Sequence, residues 1–107
     1  MRLSVLFVGM WLVLLTIVSP AGEKEDLKWR TFNQGVNEAK KKQKKVLIDV
    51  YTDWCGWCKR MDVQTYADKS VASYLNEKYV VIKLNAESNK KLSYKGNEYT
   101  EAELSAA

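Results

Sequence analysis

The stretch VLIDVYTDWCGWCK, residues 46–59, decides the fold of this chain. An apolar run rich in β-branched residues, typical of a parallel strand covered on both faces, is followed at once by Cys55 and Cys58. The pattern predicts a strand that gives way to a helix near Cys55. Two thiols one helical turn apart lie on the same helix face, where they can close and reopen a disulfide. The motif therefore predicts a thiol–disulfide exchange centre.

Other uses of these two cysteines need ligands that the sequence does not offer beside them. The 107 residues contain no histidine and no further cysteine, so a tetrahedral zinc site would have to recruit carboxylates or a second chain. Thiolates suit Cu(I), but no methionine sits beside the pair. A static disulfide and a pair of inert thiols are the remaining alternatives. We expect redox exchange that uses no metal and no organic cofactor.

The two cysteines are expected to take different roles. Cys55 is placed at a helix N-terminus, where unpaired backbone N–H groups favour a thiolate, so it is the expected nucleophile. Cys58 lies one turn further on and is expected to resolve the mixed disulfide by attacking Cys55.

The residues around the cysteines are expected to shape the site. Gly56 allows a partner chain to approach closely, and Trp57 is expected to alter the redox poise of the pair. Lys59 adds a positive charge that favours a thiolate nearby. Trp54 is expected to form an aromatic wall beside the sulfurs, although it would serve equally well as a core residue.

An acid in the apolar strand is the second informative feature. Burial of Asp49 is costly, and its position six residues before Cys55 suggests that it accepts the proton of Cys58 when that thiol must attack. The alternative is a hydrogen-bonded or edge-exposed aspartate with no role in proton transfer. Lys83 falls in the neighbouring predicted strand, where it either pairs with Asp49 or reaches solvent.

The N-terminal segment has the layout of a signal peptide. A basic start is followed by the apolar run Leu3 to Val18 and then by the small residues that signal peptidase prefers. We expect residues 1–21 to be a signal peptide and residues 22–107 to form a partial domain in an exported, periplasmic protein. A retained membrane anchor is the alternative interpretation of the apolar run.

Periodicity predicts the remaining elements. The expected elements are a helix over Leu27–Lys42, a strand over Val46–Tyr51, a helix from Cys55 with a break near Ala67–Ser70 and Ser70 as the next N-cap, a strand over Tyr79–Leu84, a turn at Lys95–Asn97, and a capping box at Thr100–Glu103 that opens a last helix. The basic cluster Lys40–Lys45 is expected to be a solvated helix C-terminus. The net charge is +4, but no aromatic residues are interleaved with the basic ones to stack against nucleotide bases. We therefore expect no nucleic-acid partner.

The segment from Val46 to Lys59 resembles the active-site segment of the thioredoxin superfamily, and Val81–Asn85 resembles the next strand of that fold. The stretch Met61 to Tyr79 is most similar to exported bacterial thioredoxin-like proteins, including the reductase domain of a periplasmic electron-shuttling membrane protein. The resemblance implies an attacking Cys55 and a resolving Cys58. It also implies that Asp49 assists Cys58 and that Lys83 and Trp54 match the family's neighbouring lysine and tryptophan.

The resemblance also implies features that we do not find in the sequence. Thioredoxin-like proteins place a cis-proline loop against the disulfide, but Pro20 is the only proline of this chain. The expected fold class is therefore α/β, a truncated thioredoxin-like fold with a βαβ core and the start of a further helix. Two functions follow: an exported thiol–disulfide oxidoreductase acting on protein disulfides or a partner redox protein, and a non-catalytic binding chain that needs a partner to complete it.

Overall fold

A computed structural model of the protein describes residues 25–107, and the predicted signal peptide lies outside them. Helices and strands alternate along the first part of the chain, as expected for an α/β fold. The elements are α1 (Phe32–Lys42), β1 (Lys45–Tyr51), α2 (Gly56–Met61), a π-helical turn (Asp62–Tyr66), α3 (Lys69–Lys78), β2 (Tyr79–Asn85), β3 (Lys91–Tyr94), β4 (Asn97–Thr100) and α4 (Glu101–Ala106). Within residues 25–107, no helix is long and apolar enough to cross a membrane. The predicted α/β thioredoxin-like fold is confirmed.

Strand β2 lies between two backbone partners. On one side it pairs in parallel with β1, in a register that places Asp49 opposite Lys83. On the other side Arg30 forms an isolated parallel bridge, in which its N–H donates to the Val81 carbonyl at 3.0 Å and its carbonyl accepts from Lys83 N–H at 3.2 Å. The cysteines belong to the β1–α2–α3–β2 unit and lie just after the carboxyl end of β1.

The first helix begins later than the sequence predicts. The periodic pattern indicated a start near Leu27, but α1 begins at Phe32 after Thr31, whose backbone is extended. The prediction was wrong because the backbone of Arg30 is engaged in the bridge to β2, and a residue in a β-bridge cannot also continue a helix. Trp29 of the extended segment still packs against Tyr66, so its three-residue spacing to Phe32 looked helical.

The core lies between β2, α1 and the hairpin β3–β4. Phe32, Ile82, Leu84 and Leu92 form one buried cluster, and Leu104 of α4 packs at its margin. Burial of such a cluster is the main favourable contribution to folding. It places β2, with Lys83 on its opposite face, at the centre of the molecule.

Strand β1 is covered less than predicted. Its alternate residues Val46, Ile48 and Val50 are between 36% and 47% exposed, and they line an apolar groove of about 450 Å³. The expectation of cover on both faces was wrong for β1, because helices of the described region pack mainly on the neighbouring strand β2. One apolar face of β1 is therefore exposed among residues 25–107.

The long helical segment after the cysteines is divided in two. A π-helical turn over Asp62–Tyr66 ends the first part, and α3 begins at Lys69. Its N-cap is Asp68, whose Oδ1 accepts hydrogen bonds from the N–H groups of Ser70 and Val71 at 3.0 and 3.1 Å. The prediction of Ser70 as the cap was wrong because the aspartate two residues earlier reaches the same orphan N–H groups.

The C-terminal elements follow the predicted local chemistry. The turn at Lys95–Asn97 is confirmed and joins β3 to β4 in an antiparallel hairpin, with positive φ at Lys95 (49°) and Gly96 (78°) as such two-residue turns require. The hairpin itself was not predicted. The capping box is confirmed: Thr100 Oγ1 accepts from Glu103 N–H at 3.1 Å, and a Glu103 carboxylate oxygen accepts from Thr100 N–H at 2.9 Å.

Candidate functional site

Cys55 and Cys58 form a disulfide at the junction between β1 and α2, with Cα atoms 5.3 Å apart. Cys55 is the N-cap of α2, and its Sγ accepts a hydrogen bond from Cys58 N–H at 3.1 Å. An N-cap side chain normally satisfies one of the orphan donors at a helix start, and here a sulfur takes that place. A thiolate on Cys55 would be stabilised by the same donor, which suits the nucleophile of an exchange reaction.

Two exposed tryptophans flank the disulfide. The side chains of Trp54 and Trp57 are each 73% exposed, so the core alternative for Trp54 is excluded. The Trp54 indole N–H donates to a Glu87 carboxylate oxygen at 2.8 Å, and the Arg60 guanidinium lies 4.8 Å from the ring centroid of Trp57. Both rings therefore have a polar neighbour and yet remain largely exposed.

The backbone between the cysteines is open to approach. A Cβ at Gly56 would meet no atom within 4 Å among residues 25–107. Lys59 follows Cys58 on α2 and is exposed. The surface around Cys55 therefore has room for the extended backbone of a second polypeptide.

Asp49 lies on the sheet face opposite the apolar groove. Its side chain is 14% exposed, and its Oδ2 has no hydrogen-bond partner among the described residues. Lys83 Nζ lies 3.6 Å from this oxygen, close enough for an ion pair but too far for a hydrogen bond. The pairing that the sequence suggested is present, but the carboxylate keeps a free lone pair.

The stronger partner of Lys83 is a residue that the sequence analysis missed. Asp62 Oδ1 accepts a hydrogen bond from Lys83 Nζ at 2.8 Å, and the rings of Trp29 and Tyr51 each have their centroid 5.0 Å from the ammonium. Burial alone would lower the pKa of Lys83, but the hydrogen bond and charge of Asp62, followed by the charge of Asp49, raise it above its ordinary value. Lys83 is thus a cation whose position is held by these contacts.

Tyr66 completes this group of side chains. Its ring packs edge-on against Trp29 at 5.1 Å between centroids. Burial, and then the negative charges of Asp49 and Asp62, raise the pKa of the Tyr66 hydroxyl. We call the set Asp49, Asp62, Tyr66 and Lys83 the carboxylate–lysine cluster.

One signal in the sequence could have revealed Asp62. It lies four residues after Cys58, a spacing that places two residues on the same face of a helix. A carboxylate on the same helix face as a cysteine is a candidate partner for a basic side chain that lies under that helix.

The sequence of residues 20–102 matches the model of the Thioredox_DsbH family, described as a protein of unknown function, DUF255. The chain belongs to this family. The match includes the disulfide, both parallel strands and the carboxylate–lysine cluster. Membership confirms the thioredoxin-superfamily resemblance. With the disulfide at Cys-x-x-Cys spacing, it supports a thiol–disulfide oxidoreductase kind of function.

A second similarity covers less of the chain. Protein disulfide-isomerase 5-2 of Arabidopsis thaliana is 34% identical to this chain over 50 residues. These residues are 47% of this chain and 11% of the plant protein, so the chain matches only a small part of that relative.

Proposed function

We propose that this Thioredox_DsbH-family protein exchanges disulfides with protein substrates or with a partner redox protein through Cys55 and Cys58. The observation that carries the proposal is the disulfide at a strand-to-helix junction, capped by a backbone N–H and flanked by two exposed tryptophans. The similarity to a protein disulfide-isomerase supports the same chemistry.

The reductive half-reaction proceeds in two displacements. The Cys55 thiolate attacks one sulfur of a substrate disulfide, which breaks that bond, forms a mixed disulfide and releases the first substrate thiolate. Cys58 then gives up its proton and attacks Cys55 Sγ. This forms the Cys55–Cys58 disulfide and releases the second substrate thiolate. The substrate gains two electrons, and the dithiol of the protein loses them.

Asp49 is the proposed acceptor of the Cys58 proton. It is largely buried, lies on β1 upstream of the cysteines, and keeps one carboxylate oxygen without a hydrogen bond in the described region. A second redox protein with a dithiol must return the pair to its reduced form, because the exchange leaves it oxidised. Net reduction of substrates is favoured by the resemblance to the periplasmic reductase domain.

Single-cysteine variants test this proposal. Reduced Cys58→Ser, mixed with a synthetic peptide that contains one intramolecular disulfide, should accumulate a mixed disulfide of the summed mass, because no resolving thiol is left. Cys55→Ser should accumulate far less under the same conditions. Intact mass spectrometry after acid quenching measures both. Equal trapping by the two variants, or trapping by neither, would contradict the assignment and favour the non-catalytic binding alternative.

We also propose that the protein is exported to an oxidising compartment. The basic start, the apolar run over residues 3–18 and the small residues after it support this location. N-terminal sequencing of the protein recovered from a bacterial periplasm should begin at Gly22. A chain that keeps Met1 and sediments with membranes would instead favour the retained anchor.

A further inference from the structure

Lys83 is shared unequally between two carboxylates. Its ammonium donates a hydrogen bond to Asp62 at 2.8 Å but lies 3.6 Å from Asp49, although Asp49 is its direct partner in the strand register. The buried Asp49 oxygen is left without a hydrogen bond among residues 25–107. A register partner would be expected to be the preferred counter-ion, so the preference for Asp62 needs a cause.

The path of the helical segment supplies that cause. Asp62 is the first residue of the π-helical turn, directly after the helix that carries Cys58. The turn brings its carboxylate over β2. Trp29 and Tyr51 hold the ammonium from two further directions, so the position of Lys83 is set by groups from three separate parts of the chain.

We propose that Asp62 is a positioning residue for the exchange reaction: by taking the hydrogen bond of Lys83, it leaves the Asp49 carboxylate free to accept the proton of Cys58. The inference rests on the proposed function, since it assigns Asp62 a part in the second displacement. In that step the Cys58 S–H bond breaks, the proton passes to Asp49, and the electron pair of the Cys58 sulfur forms the bond to Cys55 Sγ. The bond between Cys55 and the substrate sulfur breaks, and the substrate leaves as a thiolate.

The alternative arrangement explains why this matters. Without the charge of Asp62, the Lys83 ammonium would close the remaining distance to Asp49, and a carboxylate paired with a cation binds a proton less readily. The described charged and titratable groups around Lys83 are Asp49 and Tyr51 from β1 and Asp62 and Tyr66 from the π-helical turn. Of these groups, Asp62 accepts the hydrogen bond of Lys83, and it belongs to the same helical segment as Cys58.

The test measures the second displacement directly in the full chain. The mixed disulfide of Cys55 with glutathione is formed, and its decay through Cys58 is followed from pH 5 to pH 10 by acid quenching and mass spectrometry. In Asp62→Asn the pH midpoint of this decay should fall by about one unit, and the plateau rate should also fall because Asp49 becomes a weaker base. Asp62→Glu should restore the wild-type profile in large part. Glu98→Gln, which removes an exposed carboxylate of the hairpin, should leave the profile unchanged.

A double-substitution cycle separates this role from a direct effect of the Asp62 charge on Cys58. In an Asp49→Asn background, Asp62→Asn should produce no further shift of the midpoint, because the acceptor that it protects is gone. An equal shift in both backgrounds would overturn the inference, as would no shift in either. Unfolding by urea, measured on each variant, shows whether the chain is folded at each pH.

Failure of the inference and failure of the proposed function give different results. The glutathione adduct reports on the cysteines of the protein itself, whereas the peptide disulfide reports on exchange with a substrate. A peptide that is not exchanged would refute the proposed function alone. A peptide that is exchanged, together with a midpoint that Asp62→Asn does not move, would refute the inference alone.

Discussion

The indole N–H of Trp54 donates a hydrogen bond to Glu87 at 2.8 Å, although the Trp54 side chain is 73% exposed. Both residues follow the carboxyl ends of the paired strands β1 and β2, whose last residues, Tyr51 and Asn85, lie opposite each other. Parallel pairing therefore brings a residue just before the disulfide next to a residue of a different loop. An exposed aromatic side chain that is already fixed loses little conformational entropy when it contacts a partner.

Removal of this anchor should affect large substrates more than small ones. In Glu87→Ala the indole gains rotamer freedom, so the rate of exchange with the peptide disulfide should fall about three- to ten-fold, the range that one hydrogen bond supplies. Reduction of the Cys55–Cys58 disulfide by dithiothreitol should stay within a factor of two, because this small reagent does not need the indole. Stopped-flow tryptophan fluorescence measures both rates. Glu77→Ala, which removes an exposed carboxylate of α3, is the matched control.

Local chemistry explains which parts of the fold the sequence predicts well. The strand before Cys55, the turn at Gly96 and the capping box at Thr100 each depend on residues a few positions apart, and each is present in the structure. The hairpin β3–β4 was missed because most of its residues are exposed, which leaves little hydrophobic alternation to detect.

Long-range contacts account for the failures. The first helix starts at Phe32 because Arg30 bonds to β2, a partner about fifty residues away in the sequence. Asp62 was missed as a site residue for the same reason: its importance comes from Lys83, which a different element supplies. Sequence spacing predicts the cysteines and Asp49 as site residues, whereas the contacts of Lys83 with Asp62 and Trp29 are visible only in the structure.

Substitution of the proposed proton acceptor should separate the two displacements. In Asp49→Asn, attack by Cys55 on the peptide disulfide should change by less than a factor of three, because Asp49 is not a contact of the substrate in the proposed mechanism. Decay of the mixed disulfide at neutral pH should slow by about 10²-fold, the lower end of general-base contributions. Quenched-flow mass spectrometry resolves both steps. A decay rate equal to that of the wild type would remove Asp49 from the mechanism.

Among the glycines of residues 25–107, Gly35 is predicted to be the one where an added side chain disturbs the core most. It lies in the middle of α1, where a Cβ would overlap Cγ1 and Cδ1 of Ile82 in the core. Alanine favours a helix by about 1 kcal/mol over glycine, but overpacking of a core costs about 1–3 kcal/mol. Gly35→Ala should therefore lower the free energy of unfolding by up to about 2 kcal/mol, measured by urea denaturation and circular dichroism.

A second glycine and a second core residue provide the controls. Gly56→Ala meets open space among the described residues and should change the free energy of unfolding by less than about 0.5 kcal/mol. Ile82→Val removes Cδ1, so the combination of Gly35→Ala with Ile82→Val should cost less than the sum of the two single substitutions. Strict additivity would show that the two side chains do not compete for the same space.

The ion pairs of Glu38 predict how stability depends on pH. Hydrogen bonds from Lys42 and then Arg30 lower the pKa of Glu38 from 4.5 to about 2. Its Oε1 lies 2.7 Å from Lys42 Nζ, and its Oε2 lies 2.6 Å from Arg30 Nε. Because the folded state binds this proton less tightly than the unfolded state, the contribution of Glu38 to stability is complete above pH 4.5 and is lost as the pH falls towards 2. In Glu38→Gln the free energy of unfolding should therefore fall less steeply with decreasing pH between these values than it does in the wild type.

Urea denaturation at half-unit steps from pH 2 to pH 6 gives the two slopes. Glu98→Gln is the control: Glu98 and its partner Lys91 are both highly exposed, so this variant should keep the wild-type slope. Parallel curves for Glu38→Gln and the wild type would show that the Arg30–Glu38–Lys42 contacts are too well screened by solvent to stabilise the fold.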